Sequence, residues 1–146
     1  MWKSNYVLCL TTLFFVIPLC YILYELIQSR DISRRNCILS YILLCALSMN
    51  VILSIMFWYN PVKKSSIHMM DSLLVRISLV LFIVYFCLQS PSFKELAIFA
   101  FILCVIGMFA YYSNYYSSIY WCDKKHIQYH SLFHFFCGIG CMYVLL

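Results

Sequence analysis

The chain has 146 residues, of which 65% are hydrophobic and 10% are charged, and its mean hydropathy is +0.90. Soluble domains contain about 45–50% apolar and about 25% charged residues, so this composition excludes a water-soluble globular domain. The net charge of +5 comes from basic residues in short gaps between apolar runs, which is typical of membrane loops. Membrane lipids are the expected surroundings, and no nucleic-acid partner is expected.

Five apolar runs are each long enough to cross a bilayer, whose core is about 30 Å thick and requires about 20 helical residues. The first run ends at a polar loop over residues 28–36, and the second ends at Asn60 and Pro61, where proline disfavours a helix. The third stops before a break at residues 90–92. The fourth leads into a tyrosine-rich stretch, 111–121, which we expect at the headgroup level. The predicted spans are about 6–27, 37–59, 69–89, 95–116 and 127–146.

Only helices and closed barrels satisfy their backbone hydrogen bonds in lipid, and runs of this length without two-residue alternation indicate helices. The sequence therefore predicts an all-α, multi-pass transmembrane helical bundle of about five spans, with residues 1–146 in one domain. The basic residues are divided almost equally between the two sides, so the orientation stays open. Most of the nine cysteines lie inside apolar runs, where we interpret them as packing residues. A second copy or another membrane protein is a further candidate partner.

Ionisable residues within the spans are the candidates for function, because each costs ~2.5–3.5 kcal/mol to insert and normally faces the bundle interior. His126, His130 and His134 recur every four residues and so share one face of the last helix. Two histidines one turn apart can chelate zinc, and His68 and Asp71 begin the third span at the same membrane level. A His/His/His or His/His/Asp metal cluster and a set of interfacial histidines without a ligand both remain open.

Three segments resemble motifs of one family. Residues 129–134, Tyr-His-Ser-Leu-Phe-His, are similar to the last-helix motif of myomaker-like proteins and of relatives that process GPI-anchored proteins. Asp71, followed seven residues later by Ser78, resembles the family's third helix, and Ser54 resembles the start of its second-helix S-x-x-x-H segment. These proteins belong to the CREST superfamily, with the alkaline ceramidases and the adiponectin and progestin receptors; this chain resembles a shortened member.

The resemblance implies a zinc site. Its metal ligands would include His130 and His134, while Asp71 would orient and activate the bound water and Ser54 would hold Asp71. The implied activity is zinc-dependent hydrolysis of a lipid amide or ester bond, with Zn²⁺ as the cofactor.

Two departures from the family leave a second interpretation open. Trp58 stands where the family has its second-helix histidine, and five spans stand in place of seven. We hypothesise that His68, one turn before Asp71, replaces the missing ligand. The alternative function is a non-catalytic multi-pass membrane protein, with a fusion, receptor or assembly role and a degenerate site.

Overall fold

The computed structural model describes residues 5–28 and 34–146, and within these ranges the chain forms helices and no strand. Of the polar loop predicted over residues 28–36, residues 29–33 lie outside the described ranges. The helices are α1 (Asn5–Thr12), a 3-10 segment (Leu13–Phe15), α2 (Val16–Gln28), α3 (Arg34–Tyr59), α4 (Ser66–Leu88), α5 (Phe93–Ile119) and α6 (Lys124–Leu145).

Four stretches of helix are long and apolar enough to cross a membrane: Tyr6–Gln28, Ile38–Tyr59, Ser66–Leu88 and Phe93–Ile119. The first of them comprises α1, the 3-10 segment and α2. The remaining helix, α6, has 22 residues and is therefore about 33 Å long, but its histidines and lysines make it less apolar. The all-α, multi-pass bundle of about five spans predicted from the sequence is confirmed.

The helices begin a few residues earlier than predicted because polar capping residues belong to their ends. The side chain of Ser65 accepts a hydrogen bond from the backbone N–H of His68, so α4 begins at Ser66. Ser92 and Glu95 form a capping box at the start of α5. That helix continues to Ile119, so most of the tyrosine-rich stretch is helical.

The bundle has an apolar outer surface and buries polar side chains among apolar ones. Large apolar side chains are exposed on every described span, which is the arrangement expected of a surface that faces lipid. Buried side chains include many polar ones, because a polar group cannot find a partner among lipid chains. The buried polar residues are Thr12, Ser40, Asn50, Ser54, Asp71, Ser78, Ser113, His126 and His134.

Helix α6 is the centre of the bundle. It packs against α5, against both helices of the first span and against α4, while α3 packs against α4 and the first span. One apolar cluster, which includes Leu47, Phe82 and Val144, fills one end of the bundle. A second cluster around Leu8 and Trp58 fills the other end, where the predicted site residues lie.

The first span packs closely against α6 at Gly138. Pro18 has no N–H, so the carbonyl of Phe14 lacks its usual helical donor, and the 3-10 segment lies at this point. A Cβ on Gly138 would lie 3.3 Å from both the Cβ and the carbonyl oxygen of Phe14. Small residues allow helix backbones to approach in this way in membranes.

We expect Gly138→Leu to lower the free energy of unfolding by about 1–3 kcal/mol, because the larger side chain would collide with the backbone at Phe14. Gly107→Leu is the matched control, since a Cβ there has no neighbour within 4 Å. Denaturation in mixed micelles measures both changes. Equal stability of the two variants would contradict the packing.

The order of the helices predicts that thiols introduced at Lys64 and Lys124 react with a membrane-impermeant reagent from one side and a thiol at Lys94 from the other. These positions alternate along a chain that crosses the bilayer between them. Labelling in sealed vesicles, with the native cysteines replaced, checks this topology. Labelling of residues 64 and 94 from the same side would refute it.

Candidate functional site

A cavity of about 430 Å³ lies between α4, α5 and α6 and beneath the end of α3. It gathers the side chains that are most costly to place in a membrane. Every residue predicted to form the site lines it: Ser54, His68, Asp71, His130 and His134. Trp58, Arg76, Ser113, Trp121 and His126 also contribute to its wall.

A hydrogen bond joins α3 to α4 inside this cavity. The Ser54 hydroxyl donates to Oδ1 of Asp71 over 3.0 Å, and both residues are buried. The resemblance implied this pair, and the structure brings the two side chains together. The bond holds the carboxylate against α3 and satisfies one of its oxygens in a place remote from water.

His134 is held by the first span. The hydroxyl of Thr11 lies 3.1 Å from the carbonyl of Leu8 and 3.1 Å from Nδ1 of His134, and its one proton can serve either acceptor. When it donates to the carbonyl, the hydroxyl oxygen accepts from Nδ1, and Nε2 of the neutral ring has a free electron pair. In that tautomer His134 is oriented as a metal ligand usually is, with its other nitrogen donating to a protein oxygen.

His130 is held by α5. Its Nδ1 lies 2.8 Å from the hydroxyl oxygen of Ser113, which can donate or accept, so the bond allows either tautomer. The rings of His130 and His134 are 4.6 Å apart between centroids. The two histidines one turn apart thus face the same cavity.

His68 and His126 carry their ring proton on Nε2. The backbone N–H of Lys64 donates to Nδ1 of His68 over 3.0 Å, and that of Cys122 donates to Nδ1 of His126 over 3.2 Å. Because a backbone N–H can only donate, Nδ1 must be unprotonated and the proton of the neutral ring is on Nε2. In this arrangement both rings offer an N–H to the cavity.

Trp58 occupies the place of the family's second-helix histidine. Only 1% of its surface is exposed, and its ring lies 4.8 Å from that of His130 and 6.2 Å from that of Trp121, between centroids. Its indole Nε1 is buried and has no hydrogen-bond acceptor within the described ranges. The tryptophan fills volume at the site and leaves one donor unpaired.

A catalytic zinc ion usually has three protein ligands, each with a free electron pair. His134 meets this requirement when Thr11 accepts and His130 meets it when Ser113 accepts, whereas Nε2 of His68 is protonated. Burial raises the pKa of the Cys122 thiol, so that residue is not a ready thiolate. In residues 5–28 and 34–146, no three His, Cys, Asp or Glu side chains are grouped to hold a metal. The described residues thus offer the pair of His130 and His134 without a third ligand placed beside them.

The hydrogen-bond partners of His130 and His134 were not predicted from the sequence. Thr11 comes from the first span and Ser113 from α5, far along the chain from the rings they contact. The sequence shows each of them as a hydroxyl side chain within an otherwise apolar span, and such hydroxyls often form hydrogen bonds between helices. It does not show which residue on another helix the hydroxyl contacts.

An apolar pocket of about 90 Å³ adjoins the cavity. Ser54, Leu79 and His134 line both spaces, so the two lie side by side. Phe82 and Phe99 form part of the wall of the second pocket. A cavity that carries ionisable and hydroxyl side chains thus lies next to an almost wholly apolar one.

The cavity reaches the surface of the bundle between α4 and α5. Arg76, Leu79 and Gly107 line it and are also exposed, and they belong to these two helices. Arg76 lies near the middle of α4 and forms no ion pair with a described carboxylate. An arginine at this depth requires a polar or anionic neighbour, which the cavity can admit.

Comparison of the chain with protein-family models, with curated proteins and with solved structures gives no match. The fold and the cavity together define an all-α, multi-pass membrane protein with ionisable and hydroxyl side chains in a cavity among its helices.

We expect Ser54→Ala to lower the free energy of unfolding by about 1–3 kcal/mol, because it leaves a buried carboxylate without its donor. Ser48→Ala is the control on the same helix: the Ser48 hydroxyl bonds only the carbonyl of Leu44, four residues earlier. Unfolding of both variants in mixed micelles provides the measurement. A loss no larger for residue 54 than for residue 48 would refute the role of this bond.

Proposed function

We propose that this chain is a membrane protein that binds a lipid in the cavity between α4 and α5. The observation that carries the proposal is that a cavity with ionisable and hydroxyl side chains in its wall adjoins an apolar pocket and reaches the lipid-facing surface. An amphiphile matches this division, because its polar group meets hydrogen-bonding side chains and its chain meets apolar ones. The volume of about 430 Å³ lies within the range of small-molecule sites.

The route into the cavity also favours a lipid. Arg76 and Gly107 lie on the cavity wall and on the outer surface of α4 and α5, so a ligand can pass between these helices without leaving the bilayer. A water-soluble ligand would instead have to pass the aromatic cluster of Phe57, Trp58 and Trp121. This cluster lies at the loop end of the cavity, which is the end next to the α3–α4 and α5–α6 loops.

Hydrolysis of a lipid amide or ester is the second candidate, and the hydrogen bond between Ser54 and Asp71 favours it. That bond fixes a carboxylate inside the cavity, where it is able to accept a proton from a water molecule that attacks a carbonyl carbon. The resemblance to zinc-dependent lipid hydrolases also favours hydrolysis. The misfit of His68 as a third ligand favours the binding function without catalysis.

We predict that protein purified in mild detergent retains lipid, and that Gly107→Trp removes most of it by filling the cavity between the helices. Cys104→Trp is the matched control, since Cys104 is exposed on α5 and does not line the cavity. Mass spectrometry of extracted lipid measures both variants. Equal lipid content in the two would overturn the binding proposal.

A separate experiment decides whether the protein also catalyses hydrolysis. The wild type is supplied with Zn²⁺, analysed for metal and incubated with lipid amides and esters. About one ion per chain, together with activity that Asp71→Asn abolishes, would establish the second candidate, because an amide cannot take up the proton. Retained lipid without metal or turnover would establish binding alone.

A further inference from the structure

The turn before α4 fixes the position of the proton on the His68 ring through a backbone hydrogen bond. Lys64 has a left-handed backbone (φ 63°), Ser65 precedes the helix, and His68 is its third residue. The backbone N–H of Ser65 donates to the carbonyl of Val62 over 3.2 Å, which closes the turn. The N–H of the left-handed residue then donates to Nδ1 of the histidine four positions later.

The turn before α6 repeats this arrangement step by step. Cys122 is left-handed (φ 58°), Asp123 precedes the helix, and His126 is its third residue. Asp123 N–H donates to the carbonyl of Tyr120 over 3.3 Å, and Cys122 N–H donates to Nδ1 of His126. Two separate segments therefore form the same turn, in which a backbone N–H bonds Nδ1 of a histidine and the ring proton lies on Nε2.

The two turns, before α4 and before α6, lie next to each other at the loop end of the cavity. The ring of Trp121 is 5.5 Å from that of His68 and 5.1 Å from that of His126, between centroids, and both histidines line the cavity. Trp58, which is 5.9 Å from His126, adds a buried indole N–H without an acceptor in the described part of the chain. This end of the cavity is rich in donors.

We propose that the loop end of the cavity is an oxyanion site, in which the Nε2–H groups of His68 and His126 donate to phosphate oxygens of a lipid headgroup. This inference rests on the proposed lipid-binding function and names the chemistry of the polar group. Charge at the cavity agrees with an anion. Arg76 lines it, and the ammonium group of Lys63 lies beside it, 2.7 Å from the carbonyl of Ser117.

Asp71 is the carboxylate that lines the cavity among the described residues, and its bond to Ser54 directs one oxygen towards α3. Donors and cations thus outnumber anions around the space. A phosphate carried on a lipid is favoured over free phosphate, because the cavity adjoins an apolar pocket suited to a chain.

The first test measures the tautomers directly. The chain has four histidines, so ¹⁵N-labelled protein gives four pairs of ring signals, which single His→Phe variants assign. We expect the proton on Nε2 for His68 and His126. Finding the proton on Nδ1 of either His68 or His126 would overturn the proposal, whatever the variants do to folding.

The second test uses the full chain in nanodiscs and compares phosphatidic acid, diacylglycerol with the same chains, and inorganic phosphate. Phosphatidic acid should shift the Nε2 signals of His68 and His126. The double variant His68→Phe/His126→Phe should bind it at least tenfold more weakly, since hydrogen bonds to a charged group are strong. Tyr59→Phe/Tyr120→Phe is the control, because both tyrosines are strongly exposed at the same ends of their helices.

The outcomes separate the two proposals. Equal binding of phosphatidic acid and diacylglycerol, unchanged in the double variant, would refute the oxyanion site and leave lipid binding intact. Binding of neither lipid would refute the proposed function itself. Inorganic phosphate that shifts the same signals with equal affinity would refute the lipid as the source of the phosphate.

Discussion

Polar atoms inside a bilayer have no water to bond, and this constraint governs the arrangement of the whole molecule. Each of the four histidine rings has its Nδ1 paired with a protein group: a loop N–H for His68 and His126, Ser113 for His130 and Thr11 for His134. These partners come from two loops, α5 and the first span. The bonds of His130 and His134 therefore also join α6 to α5 and to the first span, so the site and the fold share these contacts.

The identity of each partner decides the chemistry of the opposite nitrogen. A backbone N–H at Nδ1 leaves a donor on Nε2 of His68 and His126, whereas the hydroxyls of Ser113 and Thr11 can donate or accept and so allow either tautomer of His130 and His134. One cavity consequently has two ends of different character. The loop end carries rings with a fixed donor, and the end next to the apolar pocket carries rings that can present either a donor or an acceptor to a ligand.

Hydropathy was sufficient to predict the helices, because a span needs only length and apolar character. It also predicted that His68 and Asp71 share a membrane level with the histidines of α6, since alternate spans begin on the same side. The turns were not predictable: Lys64–His68 and Cys122–His126 have in common only the histidine at the fifth position. What makes them alike is a left-handed residue that is not glycine, which no residue pattern reveals. The hydroxyl partners were hidden for a different reason, since Thr11 and His134 are 123 positions apart.

Trp58 shows why a resemblance in motif is not the same as a resemblance in site. A tryptophan, at the position where the family that this chain resembles has a histidine, packs against His130. It also buries an indole N–H without an acceptor among the described residues, and such a group costs about 1–3 kcal/mol. An acceptor oxygen of a ligand bound beside it would offset that cost. Because an indole N–H can donate a hydrogen bond but offers no electron pair to a metal ion, this side chain suits a bound anion better than a bound cation.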